Sequence, residues 1–354
     1  MTERDRIEPF VAPLSMPAPI FLVGCMGSGS TLTRLMLDSH EHIAIPQETS
    51  FMRLVQAHRW VPFWRYGDRL GRRLKLSRPE MNEYLRSFYG GMFERYARLH
   101  GKQRWGEKTP HHIWHMPEMA RLFKDSVFVG IVRHPGGTSS SLVGRFNYES
   151  RRSVNYWVKL NTQLTHHGTK LGDRFALIRY EDVVSHPEET MRELLEWLGE
   201  PWSPSVLRHH EVQTQQGAPR TVEGRTKPAD PLDPSRMARW TTQFTDVELT
   251  FLRRKTKGLA SFFGYSVDEP IPVETLAPAE SGRKYLATGP ELAARRSSYE
   301  GQVDFSPAER PRKEDLLRPE LLDVPERAQN SPAAAAPASF ARRLRRRLAH
   351  KLSA

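Results

Sequence analysis

The sequence predicts an α/β fold: a phosphate-binding type of parallel sheet covered by helices on both faces, with a helical insertion and a disordered C-terminal tail. Three observations predict it. Ile20-Phe21-Leu22-Val23 is a short apolar run that enters a glycine-rich loop, and Leu32, Leu35 and Met36 follow at helical spacing. Val127 to Val132 and Phe175 to Ile178 are two further apolar runs that read as buried strands. Helical patterns lie between them, and strands that alternate with helices imply a parallel sheet.

Taken in order, residues 1–19 form an N-terminal extension and residues 20–267 the folded domain. The stretch from Trp60 to Trp105 is rich in Arg, Tyr, Phe and Trp and mostly amphipathic. It interrupts the alternation, so it reads as a helical insertion over the active edge of the sheet. Ser185 and Glu188 match a capping box, ahead of an apolar helical face made by Met191, Leu194, Leu195 and Leu198 that stops at Gly199. Thr245 and Glu248 repeat the signal before the last helix. From 268 to 354 the composition shifts to Pro, Ala, Glu and Arg without clear periodicity, as in a low-complexity tail. Near its end Phe340, Leu344, Leu348 and Leu352 recur every fourth position among arginines. That segment reads either as a basic amphipathic helix making peripheral contact with an anionic membrane, or as a solvated charged tail.

A chain of 354 residues easily buries a core. Its single cysteine, Cys25, excludes a disulfide framework and any Cys-rich metal site. No apolar run approaches the roughly 20 residues of a membrane span, and the charged MTERDRIEPF is unlike a signal peptide. The expected location is cytoplasmic, with peripheral membrane contact if the tail provides it. The net charge of +12 favours anionic partners such as nucleotides, phosphates, sulfated sugars or acidic lipids, yet no acid follows Arg327, so part of this charge belongs to the tail; no nucleic-acid partner is expected.

The chemistry concentrates in G-C-M-G-S-G-S-T, from Gly24 to Thr31. It fills a phosphate-loop template except that Ser30 stands where Lys is expected. Gly27 and Gly29 permit close approach of backbone N–H groups, while Ser28, Ser30 and Thr31 add hydroxyls. The following helix end adds about half a positive charge. A nucleoside triphosphatase would also want a magnesium carboxylate after a later strand. Here that strand ends in Val132-Arg133-His134-Pro135, so protein cations replace a metal.

These residues resemble a known family. VGCMGSGSTLTRLMLDSH is similar to the 5′-phosphosulfate loop of sulfotransferases that use 3′-phosphoadenylyl sulfate (PAPS). VRHPGGTSSS is similar to their 3′-phosphate motif, in which Arg133 and Ser141 have the required spacing of eight. The tyrosylprotein and glycan-modifying branch is the best likeness, through LMLDSH…PQET, EKTP, VRHP, RYEDVVSHPEE and TKP…RW in order. The resemblance implies sulfuryl transfer from PAPS to a hydroxyl, leaving 3′-phosphoadenosine 5′-phosphate (PAP), with no metal. It assigns Glu48 as general base and Lys108 as a catalytic cation on the leaving group. It assigns Tyr180 and Lys227 to the nucleotide, beside the loop, Arg133 and Ser141.

One position departs from the pattern: the family writes Arg or Lys where this chain has Gly27. Lys108 is then expected to act alone, with Arg34 a weaker substitute. Glu48 and Lys108 could instead be ordinary ion-pair partners, Lys108 with Glu107. Of His111, His112 and His115, the first and last stand four apart, as a zinc site would, but without a matching carboxylate set beyond Glu118; acceptor contact, an alternative base or ordinary packing are the other readings. His40 and His42 read as cap or turn residues. The composition of the 60–105 insertion suits an anionic or glycan-like acceptor, and equally a lid; the expected acceptor is a hydroxyl of a carbohydrate, lipid or small metabolite. A nucleotide binder without catalysis and a phosphate-loop kinase are the competing readings.

Overall fold

Ile20–Gly24 forms β1, and all five of its side chains are buried. A strand covered on both faces has no polar side to show, hence the continuous apolar run. The computed structural model describes residues 14–60, 76–215, 231–269 and 282–307. These belong to one compact unit spanning Met1–Ala308. Its sheet contains β1, β2 (Ile43–Ala44), β3 (Arg104–Lys108), β4 (Val127–Val132), β5 (Phe175–Arg179) and β6 (Leu286–Thr288) in the order β2-β3-β1-β4-β5-β6. The first five run parallel, and β6 pairs antiparallel with β5.

Because side chains alternate along a strand, the sheet feeds two cores. Ile20, Leu22, Val129, Ile131, Ala176 and Ile178 pack under α1 (Ser30–Asp38), α7 (Tyr180–Ser185) and α8 (Pro187–Leu198). Phe21, Val23, Phe128, Val132, Phe175 and Leu177 pack on the opposite side. There they meet α2 (Phe51–Trp60), α3 (Arg78–Leu99), α4 (Met116–Leu122), α6 (Ser150–Leu171), α10 (Asp246–Phe262) and α11 (Gly289–Ser298). Between α4 and α6 lies α5 (Pro135–Phe146), and α9 (His209–Gln215) follows α8. Among the described residues, no helix is long and apolar enough to cross a membrane.

Three expectations change. The folded domain continues past 267: β6 extends the sheet, and α11 buries Leu292 against the main core. A strand of three residues in a Pro-rich region carries too little pattern to be read. The 60–105 segment is not a uniform insertion, since it ends inside β3, and α3 is a core helix. Phe93 of α3 stacks on Trp105 of β3 with ring centroids 4.8 Å apart. Ser185 ends α7 and does not cap α8, which starts at Pro187 after His186. The residues of the second unit, Glu309–Ala354, lie outside those described, as does residue 61–75 of the insertion. The remaining helix signals are met: Thr245 and Glu248 form the capping box of α10, and α8 stops at Gly199 with φ 72°.

Candidate active site

The carboxyl ends of parallel strands form a natural crevice where connections leave in opposite directions. Here β1 has β3 and β4 as neighbours, and the predicted residues leave the sheet at this one edge. The glycine loop follows β1, Glu48 follows β2, Lys108 ends β3, Arg133 follows β4 and Tyr180 follows β5.

The loop folds tightly, with the Ser28 N–H donating to the Cys25 carbonyl. Gly27 and Gly29 have φ of 81° and 96°, the left-handed region that suits glycine. Both are also pressed against neighbours. A Cβ on Gly27 would lie 3.1 Å from Cβ of Ser141 and 3.2 Å from the Thr138 carbonyl, while one on Gly29 would lie 2.2 Å from the Tyr180 ring. Gly29 is the N-cap of α1, with no side-chain cap and no acid in the first turn. The first N–H groups of a helix have no intrahelical partner, so Gly29, Ser30 and Thr31 present donors suited to an anion. Ser28 is different: its hydroxyl is fully buried beneath the loop, near Gly24, with no hydrogen-bond partner.

Arg133 lies across the loop from this helix end. Its Nη1 donates to the Gly27 carbonyl at 3.3 Å, and its guanidinium covers the Tyr180 ring at 4.2 Å. Gly137 leaves room for it, since a Cβ there would meet Nε at 2.8 Å. Next to it, His134 accepts the Gly136 N–H on Nδ1, donates Nε2–H to the Ser266 carbonyl and stacks on Trp240. Burial lowers the His134 imidazole to about 4, so it is neutral, with Arg133 adding to the effect. Glu181 accepts from the His134 N–H and the Tyr265 hydroxyl. Burial raises its carboxyl against the downward pull of Arg133 and these donors.

Lys108 is completely buried, and it pairs with Glu48 rather than with Glu107. Its Nζ donates to Glu48 Oε1 at 2.6 Å and to Thr31 Oγ1 at 3.2 Å. Neighbours on a strand point to opposite faces, so Glu107 faces away from this cluster. It instead accepts from the hydroxyls of Thr49 and Thr109 and from His112 Nδ1. Burial alone would raise its carboxyl, but His112 and the hydroxyl donors hold it below the usual range.

Gly27, Gly29, Ser30, Thr31, Glu48, Lys108, Arg133, Ser141 and Tyr180 thus share one edge, whereas Lys227 lies outside the described residues. Arg34 points elsewhere, donating to the Ile45 carbonyl at 3.1 Å. The three histidines diverge: His112 meets Glu107, while His115 Nδ1 lies 3.1 Å from Gln56 and 3.4 Å from Glu118. His40, His42 and Glu200 converge closely enough for a metal. However, His40 already uses both ring nitrogens on backbone groups, and Glu200 binds Arg104. From the sequence, Glu107 is only a possible partner of Lys108, His112 only a member of a histidine group, and Thr49 has no role; their joining is new. Thr49 and Glu107 are 58 positions apart, and only the pairing of distant segments joins them.

The model of the "Sulfotransferase family" matches residues 19–204. Among curated proteins, a "Protein-tyrosine sulfotransferase" of Drosophila melanogaster is 29% identical over 241 residues, covering 63% of this chain and 47% of that protein. "Protein-tyrosine sulfotransferase 1" of Danio rerio is 27% identical over 227 residues, 61% of this chain and 62% of its own. The chain spans about half the length of the curated relatives it matches. Among solved structures, the sulfotransferase domain of the Synechococcus PCC 7002 olefin synthase aligns with a TM-score of 0.51 at 20% identity, covering 72% of this chain and 98% of that one. The corresponding domain of the curacin biosynthetic pathway aligns with a TM-score of 0.51 at 21% identity, over 71% and 99%. Both agree in fold.

Proposed function

Starting from the fact that this chain belongs to the sulfotransferase family, we propose that it transfers the sulfuryl group of PAPS to a tyrosine hydroxyl of a polypeptide. The tyrosine acceptor takes the place of the carbohydrate, lipid or metabolite hydroxyl expected from the sequence, and the names of the relatives support it. The observation that carries the reading is the Lys108–Glu48–Thr31 cluster, set at the uncapped start of α1.

The residues fit a donor with two anionic ends. The N–H groups of Gly29, Ser30 and Thr31 hold the phosphosulfate, and Arg133 with Ser141 holds the 3′-phosphate. Gly27 and Gly137 let Ser141 and Arg133 approach closely, because a Cβ at either position would press on them. The donor supplies the sulfuryl group: its sulfur–oxygen bond to phosphate breaks as one forms to the acceptor oxygen, and PAP departs. Lys108 stabilises the negative charge that grows on the leaving phosphate. Lys108 donates to Glu48 Oε1 at 2.6 Å. When Lys108 turns to the phosphate beside Thr31, Glu48 is released to take the acceptor proton and later passes it to water. The protein cations supply the neutralisation for which other phosphate-loop enzymes use a metal.

The test is transfer of radiolabelled sulfate from PAPS to a tyrosine-containing peptide, with calorimetry of PAP and AMP alongside. Labelled tyrosine O-sulfate is expected, with PAP bound more tightly than AMP and no change on adding EDTA. Equal affinity for PAP and AMP would remove the 3′-phosphate assignment and with it the reading. Tight PAP binding without transfer would make the chain a nucleotide binder.

A further inference from the structure

Two cross-links join the same pair of segments. One is the Lys108–Glu48 ion pair at the crevice. The other lies one residue after Glu48 and one residue before Lys108: the Thr49 hydroxyl donates to Glu107 Oε1 at 2.8 Å, and the Thr49 N–H approaches the same oxygen at 3.4 Å. Glu107 is 1% exposed and Thr109 2%, so this second link is inside the protein. Thr109 reinforces it twice, giving its hydroxyl hydrogen to Glu107 at 2.7 Å and accepting the Ser50 N–H at 3.2 Å. His112 Nδ1 closes the far side of the carboxylate at 2.7 Å.

Ser50 shows why the anchor is needed. It adopts φ 51°, in the left-handed region where a residue with a Cβ is strained. A strained turn persists when its surroundings over-determine it. Here the surroundings are Glu107 and Thr109, which grip the residues on both sides of the Thr49–Ser50 bond. The turn fixes where Glu48 leaves the chain, and β3 fixes where Lys108 does.

From this geometry we infer that Glu107 is a positioning residue for the transfer, acting through Thr49 to set Glu48 against Lys108. The inference rests on the sulfotransferase reading of the crevice. Glu107 itself touches no reacting atom, since it faces the opposite side of β3. Its carboxylate keeps the base-bearing turn in register with the lysine-bearing strand. A misplacement of about 1 Å at a reacting group can cost on the order of a hundredfold in rate.

Thr49→Val removes the hydroxyl with little change in shape, Thr49→Ser keeps it, and Glu107→Gln removes the charge. The expected result is a kcat lower by about tenfold or more in Thr49→Val and Glu107→Gln, with PAP affinity kept within about twofold. Thr49→Ser should recover kcat to within about threefold of the parent. Hydrogen exchange reads the clamp without activity: amides in 46–51 should exchange about tenfold faster in Thr49→Val, while those in 24–31 keep their protection. A kcat within twofold of the parent, or unchanged protection of 46–51, overturns the positioning role. So does a parallel loss of kcat, PAP affinity and protection throughout, which would mark general collapse. If the parent binds PAP but transfers nothing, the activity reading fails, and exchange alone still decides whether Glu107 holds the turn.

Discussion

Lys108 sits where burial would ordinarily exclude an ammonium group, and its partners explain why it stays. Glu48 and Thr31 take its hydrogens within the crevice, so its charge is both satisfied and aimed at the start of α1. Lys108→Ala should lower kcat by about 10²–10³ while leaving PAP affinity nearly intact, because the loop N–H groups and Arg133 remain. Steady-state rates and calorimetry on the same preparation check this, and unchanged turnover would remove Lys108 from the chemistry. Gly27 carries the opposite lesson. The family cation is missing, yet its place is filled: φ is 81° and Ser141 stands 3.1 Å from a Cβ. Gly27→Arg should therefore not restore a catalytic cation. It should strain the loop by about 1–3 kcal/mol and push Ser141 aside, lowering both the thermal midpoint and PAP affinity. A variant with raised kcat and parental PAP affinity would show that the loop accommodates the side chain.

At the level of elements, α3 is the informative case, since its composition suits either a lid or a core helix. Tyr89, Phe93 and Ala97 are buried, and Phe93 lies parallel to Trp105 with an interplanar angle of 14°. Phe93→Ala should cost about 3–5 kcal/mol of stability. Urea unfolding measures it; a lid would give almost no change in midpoint. The same helix shows what a sequence reveals. The strands β1, β4 and β5 were legible because sheet burial on both faces demands continuous apolar runs. Strand β3 was not, because Arg-Trp-Gly-Glu-Lys has three charged residues in five and yet is wholly buried. Each charge is satisfied from afar: Arg104 by the carbonyls of Ala18 and Leu198, Glu107 by Thr49 and His112, Lys108 by Glu48. Local pattern cannot announce partners that the fold alone brings near. The placement of the glycine loop, and that of Arg133 with Ser141, was legible for the converse reason, as each spacing is fixed within its own strand–loop–helix unit. The Glu107 anchor has no such local spacing.

Across the whole molecule, His134 ties regions distant in the chain, and its protonation state couples them to pH. It caps α5, stacks on Trp240 at 4.7 Å and donates to the Ser266 carbonyl at 2.9 Å. The Nδ1 that accepts the Gly136 N–H must carry no proton, so the arrangement requires neutral imidazole. Burial holds its folded value at about 4, against 6.5 for the ordinary side chain. Between these values the unfolded chain takes up a proton and the folded chain does not. Stability is then fully present above about pH 6.5 and falls as the pH drops toward 4, by roughly 3 kcal/mol at most from this residue. His111, likewise lowered to about 4 by burial and by Arg53, contributes with the same sign. The parent should therefore lose stability faster than a single proton accounts for. His134→Asn keeps a side-chain oxygen for the α5 N-cap and removes the titrating ring. It should be less stable at pH 7.5, yet lose less between pH 6.5 and 4.5, the difference in slope corresponding to about one proton. Urea unfolding of both proteins at several pH values measures this. Equal slopes would mean that His134 takes up its proton alike in the folded and unfolded chains, so that the tie between α5, Trp240 and Ser266 does not depend on its neutral form.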